Sequence, residues 1–285
     1  MNVPHLDRDV MRRAVATALA EDLGAAGDVT TRAAVPSHRR ARATLIARAP
    51  MTVAGLDVAG EVFRQIDPGI AFTHNASDGQ RVEADAVVAT AEGPAAALLE
   101  GERTALNFLQ RMSGIATATR AAVEEVAGTG VTILDTRKTA PGLRALDKYA
   151  VAAGGGTNHR HGLYDAAMVK DTHLAVVESL AAAVRDCRAA GLPATSITAE
   201  VRTPAELDEA IAAGAGRALL DNMTLAALAH CVKRGKGKII LEASGGLQPG
   251  ALRAVAETGV DCMSLGYLTH SVLAADLAMD VTAIP

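Results

Sequence analysis

The chain contains no tryptophan and only three phenylalanines and three tyrosines in 285 residues. A core without large rings must be filled by many small aliphatic contacts, and 49% of the residues are hydrophobic, mostly alanine, valine and leucine. That composition favours repeated packing of helices on strands, and the length allows a substantial core. Cysteine is equally scarce. Cys187, Cys231 and Cys262 are odd in number, far apart and free of any CxxC spacing, which excludes a disulfide or zinc framework and predicts buried reduced thiols. No apolar run is long enough to span a bilayer, and MNVPHLDRDVMRR lacks the apolar core of a signal peptide, so a cytoplasmic protein with no membrane partner is expected. Basic residues are not in excess. With a net charge of −4 the chain has no global attraction for nucleic acid, and any anion site must be local.

Two rhythms divide what is present. Residues 6–20 place Leu6, Val10, Met11, Val15 and Leu19 at helical spacing, with a stop before Gly24. RATLIARAPMTVAG (42–55) and DAVVATAEG (85–93) are predicted strands, separated by a helix over 57–66 and a turn at 76–80. A helix over 94–112, opened by proline in its first turn, leads out of this small α+β module. From residue 131 short apolar runs alternate with amphipathic helices: VTILD, DAAMVKD, SITAEV, RALLD, KIILEAS and DCMSLG. Strands each followed by a helix imply parallel pairing. An open doubly wound sheet is one solution. A β/α barrel is preferred because Asp135, Lys170, Glu200, Asp221, Glu242 and Ser244 sit at strand C-termini, where barrels place their chemistry. Six visible strands fall short of eight, so the barrel is expected to be incomplete or to hide a strand.

Cations gather at the same ends. Arg137 and Lys138 follow the first strand, His159 and Arg160 lie in 154-GGGTNHRHG-162, Lys170 closes another strand, and Arg103 precedes them. Singly, each reads as a surface charge. Together in one mouth they require a ligand with several negative charges, and arginine's planar fork suits carboxylate and phosphate. Glu200 and Asp221 end successive strands, where they either neutralise cations or hold a divalent metal against a phosphate. The turns 243-ASGG-246 and 264-SLGYLTHS-271 offer backbone N–H groups to a phosphate. His159 and His161 form an HxH pair that invites a zinc-hydrolase reading, with a third ligand from His173 or Asp221, but Arg160 between them would crowd the metal. His161, His173 and His270 read more simply as hydrogen-bonded structural residues. A Schiff base on Lys170 would need a neutral amine, which the neighbouring Asp171 disfavours.

The run 135-DTRKTAPGLRALDKYAVAAGGGTNHRHGLYDAAMVKDTH-173, with 21-EDLGAAGDVTT-31, 101-GERTALNFLQRMSGIAT-117, 219-LLDNM-223 and 242-EASGG-246, resembles the quinolinate phosphoribosyltransferase family, also called carboxylating nicotinate-nucleotide pyrophosphorylases. The resemblance implies an N-terminal α+β domain (1–112), an incomplete α/β barrel of about seven strands holding the site (113–273), and a C-terminal segment (274–285) packing back on the first domain. It implies homodimers or larger assemblies in which Arg103 reaches a partner's site. Quinolinate and phosphoribosyl pyrophosphate would be received by Thr136, Arg137, Lys138, His159, Arg160 and Lys170. The phosphates would lie on Ser244, Gly245, Gly246, Leu265, Gly266 and Tyr267. Lys138, Lys170, Glu200 and Asp221 would be catalytic, the last two near the ribose and Mg²⁺, which they would hold directly or through the donor. The product would be nicotinate mononucleotide, for NAD biosynthesis. In three places the chain departs from the pattern. Thr198 and Arg202 flank Glu200 where alternating acids are expected, and Thr172 replaces the asparagine usual after KD. A related group associated with molybdenum transport shares this fold and is the alternative.

Overall fold

The structure is a computed structural model and describes residues 5–285. The first half runs α1 (Arg8–Leu23), α2 (Val29–Ala34), β1 (Arg40–Ala47), β2 (Met51–Thr52), α3 (Leu56–Ile66), β3 (Ala71–His74), β4 (Arg81–Val82), β5 (Val87–Pro94) and α4 (Ala95–Glu125). Then come β6 (Thr132–Leu134), α5 (Arg144–Ala153), β7 (Ala167–Val169), α6 (Asp171–Leu174), α7 (Leu180–Ala189), β8 (Ile197–Val201), α8 (Pro204–Ala213) and β9 (Arg217–Asp221). The chain closes with α9 (Leu225–Gly235), β10 (Ile240–Ser244), α10 (Leu252–Ala256), β11 (Cys262–Ser264), α11 (Tyr267–His270) and β12 (Leu277–Ile284). Two compact units emerge. One holds the residues up to Arg120 with Thr139–Gly155 and Leu268–Pro285, and the other holds Ala121–Lys138 and Gly156–Tyr267.

The first unit is built on an antiparallel sheet in the order β12-β1-β5-β3. Strand β1 alternates exposed and buried side chains, as a half-covered sheet requires, with Ala41, Ala43, Leu45 and Ala47 inward. Helix α3 has Asp57 in its first turn and Arg64 in its last, matching the helix dipole, and buries Leu56, Val58, Ala59, Val62 and Phe63. Each of the larger of these side chains stabilises the unit by roughly 1.5–3 kcal/mol. Helix α1 starts where Asp7 accepts the N–H groups of Asp9 and Val10, and stops at Gly24, whose φ is 50°. The run expected as one strand over 42–55 is broken at Pro50 into β1 and β2. Helix α4 continues far beyond Met112, because Gly114 causes no break within it. Residues 277–284 form β12, paired with β1 from Ala47 opposite Leu277 to Arg40 opposite Ile284.

Gly154 belongs to this unit too. A Cβ built there would lie 2.5 Å from the Ala116 carbonyl oxygen and 2.6 Å from the Thr119 Cβ, so the absent side chain lets α5 close on α4. Gly154→Ala should therefore lower stability by about 1–3 kcal/mol through overpacking. A urea midpoint equal to that of the unsubstituted protein would show that the two helices part without cost.

The second unit has six parallel strands in the order β6-β11-β10-β9-β8-β7. The first strand of the unit pairs with the last, Ile133 beside Met263, so the sheet curls round on itself rather than lying open. A seventh contributor is a single residue. Thr157 makes a parallel bridge with Leu134, donating to the Ile133 carbonyl at 2.8 Å and accepting from the Asp135 N–H at 3.2 Å. No pairing between Thr157 and β7 occurs among the described residues, so this is an incomplete β/α barrel. The 3.6-residue period covers its outside: α7 buries Leu180 and Val184, α8 Leu207 and Ala210, α9 Leu228 and Cys231. Cys231 and Cys262 are buried thiols, while Cys187 is only half-buried, a departure from the expectation for all three.

Candidate active site

The strands end in a polar rim because the period of two puts alternate side chains inside the barrel. Its frame is Asp135, fully buried after β6. Asp135 accepts the His159 N–H at 2.8 Å through Oδ1 and the Asn158 amide at 2.7 Å through Oδ2, which ties the glycine-rich loop to the first strand. The Arg160 N–H donates to His159 Nδ1 at 2.7 Å, so the ring proton is assigned to Nε2, which stands 3.3 Å from Glu242 Oε2. Glu242 is fully buried and also pairs with Arg217 at 2.8 Å. Burial alone would raise its pKa, but His159, Ser264 and Arg217 outweigh burial and hold it below the usual glutamate range. Asp135 and Glu242 thus shape the loop from beneath rather than face a ligand. The presence of both at strand ends was visible in the sequence, but their burial was not.

Glu242→Ala would leave Arg217 facing an uncompensated hole. Breaking a buried pair on one side costs about 3–5 kcal/mol. Glu242→Gln, which keeps the shape and loses the charge, should cost less. Equal urea midpoints for Glu242→Ala and wild type would remove Glu242 from this framework.

Both ring nitrogens of His159 are therefore engaged, one by the neighbouring amide and one toward a buried carboxylate. His161 is exposed, and its N–H donates to Asp165 Oδ2 at 2.6 Å. This geometry corrects the HxH zinc reading: the His159 ring is turned to the Arg160 N–H and to Glu242, and no three His, Cys, Asp or Glu are grouped to hold a metal among the described residues. His173 accepts the Lys170 N–H through Nδ1 at 3.0 Å, capping α6. His270 bonds Ser271 at 2.7 Å.

The cations line the loops above this frame. Arg160 is half-buried, and one guanidinium nitrogen donates to the Ala166 carbonyl at 2.9 Å, which fixes the side chain. Burial, then the like charge of Arg137, lower its pKa, so two guanidinium groups repel each other here and an anion would relieve both. The Lys138 N–H donates to Thr136 Oγ1 at 3.0 Å, which turns the chain after β6. Lys170 Nζ lies 3.9 Å from Glu200 Oε2. Burial raises the pKa of Glu200, and the nearby Asp221 and Asp171 add to this against the pull of Lys170 and Arg202. Arg202 sits among the acids, 2.6 Å from Asp171, 3.7 Å from Asp221 and 4.0 Å from Glu200. Its hydrogen bond holds Asp171 below the ordinary aspartate range. Glu200 and Asp221 therefore share one cation-holding place, and such hard oxygen donors fit Mg²⁺.

Beside Asp221, Gly245 and Gly246 have φ of 93° and 62°, a left-handed conformation that side chains resist. Asn222, itself at φ 52°, packs against Gly245 and donates to Asp221 Oδ2 at 3.0 Å. Ser244 is half-buried beside them. Leu265 is different. Its side chain is buried and its N–H donates to the Leu134 carbonyl at 2.9 Å, so it can offer a ligand only its carbonyl. Gly266 leads into α11, where burial and then Glu125 push the Tyr267 phenol up to about 12. Arg103 belongs to the other unit, exposed on α4.

The chain matches the N-terminal domain of quinolinate phosphoribosyl transferase over residues 28–113 and its C-terminal domain over 115–280. It belongs to the quinolinate phosphoribosyl transferase family. It is 44% identical over 262 residues to a Bacillus subtilis (strain 168) protein named as a probable nicotinate-nucleotide pyrophosphorylase (carboxylating), covering 92% of this chain and 90% of that one. A nicotinate-nucleotide pyrophosphorylase (carboxylating) of Mycobacterium leprae is 42% identical, with 96% of each chain covered. Among solved structures, nicotinate-nucleotide pyrophosphorylase from Francisella tularensis superposes with a TM-score of 0.91 at 37% identity over 99% of both chains. The enzyme from Ehrlichia chaffeensis gives 0.90 at 35%, over 95% of this chain and 98% of that one. Family membership thus extends over both compact units.

Proposed function

We infer that the chain is a quinolinate phosphoribosyltransferase, converting quinolinate and phosphoribosyl pyrophosphate into nicotinate mononucleotide, carbon dioxide and pyrophosphate. The observation that carries this reading is the pairing of Arg137 with Arg160 beside the loop tied to buried Asp135, with Lys170 meeting Glu200 at the end of β7. A pyridine dicarboxylate and a polyphosphate bring the charges that this mouth calls for. Arg137, Arg160 and Lys170 receive the two carboxylates, and His159 holds the loop beneath them. Lys138, Ser244, Gly245, Gly246 and the backbone at Gly266 receive the phosphates.

The pyridine nitrogen attacks the ribose anomeric carbon as the C–O bond to pyrophosphate breaks. Positive charge develops on the ribose. Glu200 and Asp221, held close by Arg202 and Asn222, stabilise that charge across the low-dielectric mouth. When bound with the donor, Mg²⁺ at Glu200 and Asp221 supplies charge neutralisation for the leaving pyrophosphate. Once the nitrogen is quaternary, the 2-carboxylate departs as carbon dioxide, its electron pair stays on the ring carbon beside the cationic nitrogen, and a proton replaces it. No covalent lysine is needed, because orientation and electrostatics supply the rate. Release of carbon dioxide and pyrophosphate from the two substrates with Mg²⁺ tests the assignment, and a protein that releases neither is not this enzyme.

The assembly is a homodimer or larger in which Arg103 of one copy serves the other's site. None of the described helices is long and apolar enough to cross a membrane. Inactive Arg103→Ala and inactive Lys170→Ala proteins, mixed under conditions that exchange subunits, should regain activity in hybrids, because one of two shared sites then carries neither lesion. Verified exchange without recovered activity would confine Arg103 to its own copy.

A further inference from the structure

Among the described residues only Asp85 and Asn222 combine a side chain with a left-handed backbone, and Asn222 is the one at a strand end of the barrel unit, directly after Asp221. Asparagine tolerates this region better than most side chains, yet the conformation still costs energy and persists only where the surroundings fix it. Here they do. The Asn222 N–H donates to the Ser244 carbonyl at 2.9 Å, which carries the β9–β10 pairing one residue past Asp221 opposite Ser244. Thr224 already caps α9, its Oγ1 accepting the Ala227 N–H at 3.3 Å, so the chain has only Asn222 and Met223 in which to turn. The side chain is held on both sides. Its Nδ2 donates to Asp221 Oδ2 at 3.0 Å, and a Cβ on Gly245 would collide with its amide oxygen. An ionised carboxylate can only accept, which fixes the NH₂ group on the Asp221 side. Both contacts to the Asp221 carboxylate, from Asn222 Nδ2 and from Arg202 Nε at 3.7 Å, fall on Oδ2.

We propose that Asn222 is a positioning residue that occupies Oδ2 of Asp221 and keeps Oδ1 for the reacting ribose, while the same amide rests on the glycine turn that receives phosphate. One side chain thus ties the acid to the turn, and a donor seated on Gly245 and Gly246 finds Asp221 already oriented. The left-handed backbone is what lets the amide fold back onto both. Asn222 is exposed, so removing its amide opens no cavity in the core. This rests on the phosphoribosyltransferase reading of the site.

Two substitutions at this position and one structural readout test it. Asn222→Gly removes only the amide, because glycine adopts φ 52° without strain. It should lower kcat about tenfold to a hundredfold, the range of a lost hydrogen bond to a charged group, with little change in quinolinate KM. Asn222→Asp, nearly the same shape, should lower kcat further, because a carboxylate would then face Asp221 Oδ2. A residue that only shaped the turn would give the reverse order, with aspartate the milder change. Crystal structures of wild type and Asn222→Gly read the same effect without turnover: Asp221 should leave its wild-type rotamer once the amide is gone. Wild-type kcat in Asn222→Gly, an Asn222→Asp protein as active as wild type, or an Asp221 side chain that stays in place in Asn222→Gly overturns the proposal. A wild type that releases no carbon dioxide refutes the enzymatic reading instead, and the Asp221 rotamer still judges Asn222 by itself.

Discussion

Arg160→Ala should lower kcat/KM for quinolinate by about a hundredfold to several thousandfold while changing use of nicotinate far less. The two acids differ by one carboxylate, the one that leaves as carbon dioxide. Arg160 is half-buried, and burial and then Arg137 lower its pKa against the pull of Asp165, so its charge is held at a cost. A dicarboxylate offers one carboxylate to each guanidinium, whereas nicotinate offers a single carboxylate to the two. A buried charge without its partner costs about 3–5 kcal/mol, which sets the size of the discrimination. Arg160→Lys should recover only part of the loss, because a lysine cannot both hold the Ala166 carbonyl and meet a carboxylate with a fork. Arg137→Ala should narrow the gap between the two acids in the same way. Comparing kcat/KM for both substrates across these proteins checks the assignment. Wild type that used nicotinate as well as quinolinate would reassign the cations to the phosphates.

Glu200→Gln and Asp221→Asn should each lower kcat by about a hundredfold to a thousandfold with little change in quinolinate affinity, the size typical of removing one preorganised electrostatic group. The structure separates these acids from the cations beside Arg160: they meet Lys170 and Arg202 and share one cation-holding place. A group that acts on charge developing in the transition state changes kcat and kcat/KM together. Burial already raises the pKa of Glu200, so its ionised form is held at a cost that the developing positive charge repays. A pure rise in quinolinate KM with kcat intact would move both acids out of this role.

Much of this site could be read from the chain because chemistry is local in sequence at a barrel's strand ends. DTRKT, the loop ending in Asn158, His159 and Arg160, and Lys170 after β7 all announce themselves. What stayed hidden depends on contacts between distant segments. Asp135 and Glu242 resemble other strand-end acids until burial shows that they support the loop from below. Strand pairing explains the other misses. Residues 277–284 show no clear alternation, and β12 becomes a strand because β1 offers it a partner edge. A single bridging residue such as Thr157 has no periodicity at all, so the seventh contributor to the barrel was invisible among the runs. In the sequence Arg202 is only a departure from the expected acids. Its meaning lies in the convergence of α6, β8 and β9, which no linear spacing reveals.

The division of the chain into units also governs how the protein can be made. Residues 139–155 leave the barrel unit after its first strand, complete the other unit, and return before Thr157 bridges to Leu134. The four-stranded sheet, in turn, is finished only when Thr44 meets Asp280, near the other end of the sequence. During synthesis β1 therefore waits with one edge open while the whole barrel is produced, and an unpaired edge is a template for foreign strands. Closing so long a loop is slow. The nascent chain must keep that edge from other molecules until its own last strand has been translated.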